Sequence, residues 1–324
     1  MNKLSPYTDL ALEAAEALTS EVREQRGIEM SVDERDNVSL TLVKVTNREG
    51  EKATGKPIGT YITLESSYMR ENTPEIHQDI KKLFADSLSE LIKLKKQDTV
   101  LIVGLGNRYV TPDSLGPKVI SGIVVTRHIA DTLPEEIKGN VRAVSAVTPG
   151  VMGLTGIETW EIIKGITERT KPSLIIAIDA LAARKASRIN ATIQMADTGV
   201  TPGAGVGNVR GAINKETMGV PVIAIGVPTV VDAATLVNDS LSSILNSMLE
   251  ASKESKDFYR TLESIREEDR YSLISACLDP YTENMFVTPK EIDSVVDNLA
   301  SIISGGINMA LQPEIDLENV NIMG

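Results

Sequence analysis

The hydrophobic positions near the start of the chain follow a helical period and then a strand period. Residues 8–26 place apolar side chains on one face, which predicts an amphipathic helix. Residues 38–45 alternate apolar and polar side chains, which predicts an antiparallel or edge strand. Residues 56–64 resemble its partner, and the polar segment between the two is typical of a turn. The N-terminal part is therefore expected to be a helix followed by a β-hairpin.

Farther along, buried strands are predicted to alternate with helices. Thr73 and Pro74 begin a helix, and the apolar run at residues 99–103 is typical of a strand buried on both faces. Thr155 and Glu158 have the spacing of a capping box. Further strands are predicted at residues 141–147, 174–178, 189–195 and 221–225. This alternation predicts an α/β fold with a mainly parallel central sheet covered on both faces, in one domain with terminal additions.

Composition narrows the possible functions. The 324 residues carry 33 Lys+Arg and 45 Asp+Glu, a net charge of −12 that argues against direct binding to nucleic acid. No apolar stretch is long enough to span a membrane, and the first residues lack the apolar core of a signal peptide. We expect a cytoplasmic protein with no membrane partner.

The chain has two histidines and one cysteine, which disfavours a zinc cluster and excludes an internal disulfide. His77 and His128 are interpreted as surface or capping residues. Cys277 lies among apolar neighbours and is interpreted as a core residue rather than a nucleophile. Carboxylates are the remaining candidates for catalysis.

Two aspartates follow predicted buried strands. Asp113 lies in the loop VGLGNRYVTPDSLGP, which lacks the third glycine of a dinucleotide fingerprint and the lysine of a P-loop. Asp179 follows the apolar run LIIAI. Each aspartate has a structural alternative, since either can cap a nearby helix instead of acting in catalysis.

Parallel topology can bring Asp113 and Asp179 to the same edge of the sheet. Two neighbouring carboxylates oppose each other's ionisation, so that they can share one proton, activate a water and protonate a leaving amine. The sequence thus offers a carboxylate pair as a hypothesis for hydrolysis.

A glycine-rich loop at residues 197–213 contains Asn208 and Arg210. It is either a long turn or a cradle for an anion or a peptide backbone. With Asn107 of the GLGN loop, Asn208 and Arg210 are the candidate substrate-binding residues.

Four motifs in order, VGLGNRYVTPDSLGP, AIDALAAR, TPGAGVGNVRGAI and AIGVPTVVDA, resemble the germination proteases of spore-forming bacteria. The resemblance runs over nearly the whole chain. It implies an endopeptidase that degrades small acid-soluble spore proteins during germination, with a fold similar to hydrogenase-maturation proteases, a three-layer αβα sandwich. It also implies a homotetramer in the cytoplasm of the forespore or spore core.

The resemblance favours Asp113 and Asp179 as two catalytic aspartates without a cofactor. In the related maturation proteases two acidic positions and a histidine bind nickel, but His77 and His128 fall in no matching motif. No metal ligand is therefore assigned.

The family is made as a precursor that removes its own N-terminal segment, cutting between an acidic residue and a large apolar residue that precedes Ala. Asp9 and Leu10, followed by Ala11, match this pattern. The resemblance thus implies a propeptide at residues 1–9 and a single peptidase domain, with an N-terminal hairpin and C-terminal helical additions, at residues 10–324. An N-cap role for Thr8 and Asp9 is compatible with this reading.

Two other functions fit the same motifs. One is a nickel-dependent protease of the hydrogenase-maturation type. The other is a non-catalytic protein that binds a peptide or a nucleotide in its glycine-rich loops.

Overall fold

The computed structural model describes residues 8–130, 141–202, 211–251, 274 and 285–313. The strands are β1 (Ile28–Glu34), β2 (Ser39–Val45), β3 (Gly59–Glu65), β4 (Val100–Gly104), β5 (Val144–Val147), β6 (Leu174–Ala183), β7 (Thr192–Ala196), β8 (Val222–Asp232) and β9 (Phe286–Val287). The α-helices are α1 (Ala11–Glu16), α2 (Ser20–Gln25), α3 (Arg48–Thr54), α4 (Pro74–Leu91), α5 (Leu115–Ser121), α6 (Met152–Thr155), α7 (Thr159–Thr170), α8 (Lys215–Met218), α9 (Ala233–Ala251) and α10 (Ile292–Leu311).

The strands form one mixed sheet in the order β1-β2-β3-β7-β8-β6-β4-β5, with β9 paired to β8. The strands β8, β6, β4 and β5 are parallel neighbours, and the others join through antiparallel pairs. After β4 the chain passes to β5 on one side and then returns to β6 on the other side of β4. The boundary between β4 and β6 is therefore a topological switch point, where α/β sheets open a crevice.

Alternate residues of the central strands face opposite helical layers. Ile102 and Ile176 pack in the cluster that contains α4, α5 and α10, whereas Leu101 and Ile175 pack in the cluster that contains α7 and α8. All four side chains are at most 1% exposed. Burial of each contributes about 2 kcal/mol, so both layers are held on the sheet. The predicted three-layer α/β fold is confirmed.

Several local predictions are corrected. The single helix predicted at residues 8–26 is two helices, because Thr19 accepts a hydrogen bond from Val22 N and starts α2 separately. The predicted turn before β3 contains α3, which Asn47 caps at its first turn and Gly55 ends at a φ of 67°. Asparagine and glycine are common both in turns and at helix ends, so the segment was predicted as a turn and the short helix was missed.

The predicted capping box at Thr155 is also wrong. Glu158 and Glu161 form the box that begins α7, while Gly156, at a φ of 71°, ends the short helix α6. His77 is 8% exposed and lies 2.9 Å from the Tyr68 carbonyl oxygen through Nε2, so it is not a surface residue. Cys277 lies outside the described residues. Within the described ranges no helix has the length and apolar character needed to cross a membrane.

Strand β6 extends well beyond its neighbour β4. The last β4 residue, Gly104, pairs with Ile178, so the five residues from Asp179 to Ala183 have no strand on that side. The N-terminal segment occupies this edge instead. Asp9 N donates to the Ala182 carbonyl oxygen at 3.2 Å, and Ala182 N donates to Asp9 Oδ2 at 2.9 Å. The first described residues are thus part of the folded sheet edge.

An ion network anchors α1 to the chain that follows β6. Glu13 is 1% exposed and accepts hydrogen bonds from the backbone amides of Arg184 at 2.8 Å and Lys185 at 2.9 Å. Arg188 Nη1 lies 3.5 Å from Glu13 Oε1, and Arg188 Nη2 lies 2.6 Å from Glu16 Oε1. The same guanidinium also pairs with Glu65 on β3 at 2.6 Å. One cation therefore neutralises three carboxylates, two on α1 and one on β3.

Replacing this cation should destabilise the fold. In Arg188→Met the carboxylates of Glu13, Glu16 and Glu65 lose their shared partner, and we expect a loss of about 3 kcal/mol in the free energy of unfolding. This is the lower end for a broken buried pair, because Glu16 and Glu65 are partly exposed. The matched control is Lys52→Met, which removes the exposed pair with Glu49 and should cost less than about 1 kcal/mol. Equal urea midpoints for the two variants would contradict the role of Arg188.

The same network should make stability depend on pH through Glu16. Burial raises the pKa of Glu16, but hydrogen bonds and positive charge from Arg188 and Lys185 outweigh it and lower the pKa from 4.5 to about 2. Because the folded-state pKa is the lower one, the contribution is complete above pH 4.5 and is lost as the pH falls towards 2. The stability difference between wild type and Glu16→Gln should shrink across this range in urea titrations. A difference that stays constant would be the opposing result.

Candidate active site

A cavity of about 760 Å³ opens where β4, β6 and β8 meet their following loops. It lies at the switch point between β4 and β6, the expected position for a ligand site in such sheets. The carboxylate-bearing residues Asp9, Asp113 and Asp179 all line it. The two aspartates predicted from separate motifs thus share one cavity with a third from the N-terminal segment.

Asp113 is held by its own loop. It ends the short 3-10 turn Thr111–Asp113, and its Oδ2 accepts a hydrogen bond from Asn107 N at 2.7 Å. Gly106 permits this closure: its φ is +104°, and a Cβ there would lie 2.1 Å from the Asp113 carbonyl oxygen. The N-cap residue of α5 is Ser114, which makes no side-chain capping bond. The carboxylate of Asp113 therefore binds its own loop instead of capping α5.

Asp179 lies inside β6 rather than at its end. The strand was predicted to stop at residue 178, but pairing with β8 carries it on to Ala183. Asp179 is 7% exposed, lies opposite Gly226 of β8, and its Oδ1 accepts from Ala180 N at 3.0 Å. Leu105 N donates to the Ile178 carbonyl oxygen at 2.8 Å, which brings the Asp113 loop to this level of β6.

Three carboxylates satisfy alternate amides along the open edge of β6 and one residue beyond its end. The amides of Ala180, Ala182 and Arg184 donate in turn to Asp179 at 3.0 Å, Asp9 at 2.9 Å and Glu13 at 2.8 Å. A strand amide without a partner is costly to bury, so each of these carboxylates stabilises the edge. The same series places Asp9 on the edge of β6 three residues beyond Asp179, and both line the cavity.

The candidate substrate-binding residues have different positions. Asn107 lines the cavity, and its Oδ1 accepts from Tyr109 N at 3.0 Å, so the side chain also shapes its own loop. Asn208 and Arg210 lie outside the described residues.

Two polar residues that the sequence analysis did not identify contact the N-terminal segment. Lys56 Nζ donates to the Thr8 carbonyl oxygen at 2.9 Å. Burial lowers the pKa of Lys56, whereas the charges of Asp9 and Glu13 raise it. Gln194 on β7 accepts from Ala11 N at 2.6 Å and donates to the Asp9 carbonyl oxygen at 3.4 Å. A glutamine within the apolar strand TIQMA is the sequence signal that could have identified Gln194.

The arrangement supplies acid–base groups and a bound peptide segment. Among the described residues, no three His, Cys, Asp or Glu side chains cluster as a metal site would require. A cavity lined by carboxylates beside an extended segment is suited to hydrolysis of a peptide bond.

Comparison with known sequences gives a consistent family. The model of the family described as germination protease matches residues 7–265 and 246–324. The germination protease of Caldanaerobacter subterraneus subsp. tengcongensis is 48% identical over 314 residues, covering 97% of this chain and 96% of that protein. Germination proteases of Clostridium tetani and Bacillus mycoides are 46% and 42% identical, each covering 98% of this chain and 99% and 97% of those proteins.

Among solved structures, a NiFe hydrogenase maturation protease of Thermococcus kodakarensis aligns with 68% of this chain and 99% of its own. Its sequence identity is 16% and the TM-score is 0.34, a likeness too distant to assign any property to this chain. The sequence matches, by contrast, extend over nearly the full length of both partners. The chain belongs to the germination protease family, and it is a peptidase of spore germination.

Proposed function

We propose that this protein is an endopeptidase that is made as a zymogen, processes itself between Asp9 and Leu10, and then hydrolyses small acid-soluble spore proteins. The observation that carries the proposal is the shared cavity of Asp113, Asp179 and Asp9. The cavity thus contains two candidate catalytic carboxylates together with a segment of the same chain that has the proposed cleavage pattern.

Asp113 and Asp179 are proposed to act as one acid–base pair. One carboxylate takes a proton from a water molecule, and the water oxygen adds to the carbonyl carbon of the scissile bond. The other, protonated, polarises the carbonyl oxygen by a hydrogen bond and then supplies the proton that the leaving amine needs. Two carboxylates that share a site can hold one proton between them, so that one member acts as the base and the other as the acid.

The N-terminal segment is the proposed first substrate. Asp9 lines the cavity, and the side chain of Leu10 is fully buried, so the bond between them is held at the wall of the site. The retained part of the segment stays anchored after the cut, since Glu13 and Glu16 belong to the Arg188 network. The released part is residues 1–9.

The net charge of the chain bears on the state in which its substrates are attacked. A net charge of −12 disfavours contact with DNA, so we propose that substrates are attacked as free proteins and not on the duplex. We also propose that the protein is a homotetramer and that it acts in the cytoplasm of the forespore or spore core.

Removing either carboxylate should stop self-processing. Asp113→Asn and Asp179→Asn keep the shape of the side chain but cannot exchange the proton, and we expect conversion to slow by about 100-fold or more. Intact-mass spectrometry of purified full-length chain measures this, and the wild-type product should begin at Leu10.

The matched control for these variants is Asp36→Asn, an exposed aspartate between β1 and β2 that should leave the rate unchanged. Conversion at the wild-type rate in either active-site variant would rule out the carboxylate pair as the catalyst. A product that begins at any residue other than Leu10 would rule out the proposed cleavage site. Loss of activity on exhaustive chelation would point instead to a metal-dependent protease.

The loop that positions Asp113 should also be essential. In Gly106→Ala the new Cβ would collide with the Asp113 carbonyl oxygen, and the φ of +104° is strained for alanine. The collision must displace Asp113, so we expect self-processing to slow by about 100-fold or more. Gly165→Ala in α7 is the matched control, because a Cβ there meets nothing within 4 Å. Equal conversion rates for the two glycine variants would show that the position of Asp113 is not critical.

A further inference from the structure

Gln194 is a buried polar residue that faces the N-terminal segment. Its side chain projects from β7 into the cavity, and the residue is 8% exposed. The side-chain amide contacts the segment twice. Its Oε1 accepts from Ala11 N at 2.6 Å, and its Nε2 donates to the Asp9 carbonyl oxygen at 3.4 Å. These two contacts lie on either side of the bond between Asp9 and Leu10.

The sheet register places Gln194 in one lateral row with Asp179. Asp179 pairs with Gly226, and Gly226 pairs with Gln194 across the next strand. Residues in such a row point to the same face, and two strand spacings separate the outer pair by about 10 Å between Cα atoms. A Cβ on Gly226 would lie 2.4 Å from Leu181 Cδ1, so the Leu181 side chain covers Gly226. Leu181 thus forms the bottom of the space between Asp179 and Gln194. A peptide bond lying above Leu181 is thus flanked by Asp179 and Gln194.

The orientation of the Gln194 amide follows from its partners. The backbone N–H of Ala11 is only a donor, so the atom facing it must be the oxygen of the amide. The NH₂ group is then directed at the Asp9 carbonyl oxygen, which is only an acceptor. The two partners together fix one orientation of the amide.

We infer that Gln194 is a catalytic residue for self-processing, an inference that rests on the proposed cleavage between Asp9 and Leu10. When water adds to the Asp9 carbonyl carbon, the C=O electron pair moves to the carbonyl oxygen, and Gln194 Nε2 stabilises the negative charge that develops there. When the C–N bond breaks, the oxygen regains its double bond and the Leu10 nitrogen takes a proton from the acid of the pair. Gln194 neither gains nor loses a proton.

The length of the donor contact is consistent with this role. Hydrogen bonds to a reacting carbonyl are often long before reaction and shorten as charge develops in the transition state. A donor that binds the ground state weakly and the transition state strongly lowers the barrier instead of only holding the substrate.

The competing explanation is structural. Ala11 is the first residue of α1, and Leu10 at its N-cap makes no side-chain capping bond, so Gln194 could serve only to satisfy the Ala11 amide. Gln194→Glu separates the two roles, because a carboxylate still accepts from Ala11 N but offers no donor to the Asp9 carbonyl oxygen. Gln194→Met removes both contacts at similar side-chain length.

The test is the rate of conversion of full-length wild type, Gln194→Glu and Gln194→Met, followed by intact mass. Loss of an oxyanion donor predicts conversion about 100-fold slower in both variants. Hydrogen exchange at the Ala11 amide should remain slow in Gln194→Glu and become fast in Gln194→Met. Thr192→Val is the matched control on the same strand, since the Thr192 hydroxyl has no hydrogen-bond partner among the described residues, and it should convert at the wild-type rate.

The outcomes are distinct. Slow conversion in Gln194→Glu with the Ala11 amide still protected supports the donor role, even if Gln194→Met fails to fold. Wild-type conversion in Gln194→Glu overturns it and leaves a capping residue. A wild-type chain that never converts overturns the proposed self-processing and the role of Gln194 together, and the wild-type arm alone reveals that case.

Discussion

The open edge of β6 is the constraint on which the site depends. Strand β6 continues for five residues beyond its last partner on β4, and the backbone groups on that side must be satisfied without a neighbouring strand. Carboxylates of Asp179, Asp9 and Glu13 accept from three alternate amides, two on this edge and one just beyond its end. Acidic side chains therefore satisfy the edge in the same region as the proposed chemistry, and the N-terminal segment supplies two of the three.

The same edge combines the proposed catalytic aspartate with the anchoring of the N-terminal segment. Asp179 lies near the start of the open edge, inside the cavity, whereas Glu13 binds its far end and joins the Arg188 network. In the proposed cleavage, Asp9 departs and Glu13 stays. Only the middle position of the edge, the backbone of Ala182, then loses its partner. An acidic residue of another polypeptide has the chemistry to replace Asp9 there, which fits the proposed cleavage after an acidic residue.

The sequence could predict the strands but not their overhang. The apolar runs before Asp113 and Asp179 identified β4 and β6 and placed both aspartates at the carboxyl side of a sheet. The residues after Asp179, ALAA, carry no strand signal, because alanine favours helices, and they are extended only because β8 pairs with them through Ala183. Tertiary pairing overrode local propensity at this position.

The docking of the N-terminal segment could not be predicted from the sequence for a similar reason. Residues 8–26 have a helical period, and nothing in that period indicates that Asp9 bridges to a strand more than 170 residues away. The buried position of Gln194 likewise depends on which face of β7 turns towards the cavity. Both contacts are long-range, and local patterns carry information only about neighbours in the sequence.

The transition from strand to helix at Leu10 determines where the proposed bond lies. Asp9 pairs with Ala182 as a strand residue would, but α1 begins at Ala11, so the segment cannot continue along β6. Asp9 is thus the last residue of the segment that follows the edge of β6. The Asp9 carbonyl instead points to Gln194, which lies in the lateral row of Asp179. Because the segment leaves the edge at Asp9, the Asp9 carbonyl is directed at the row of Asp179 and Gln194, whereas in a continuous strand it would be directed at β6.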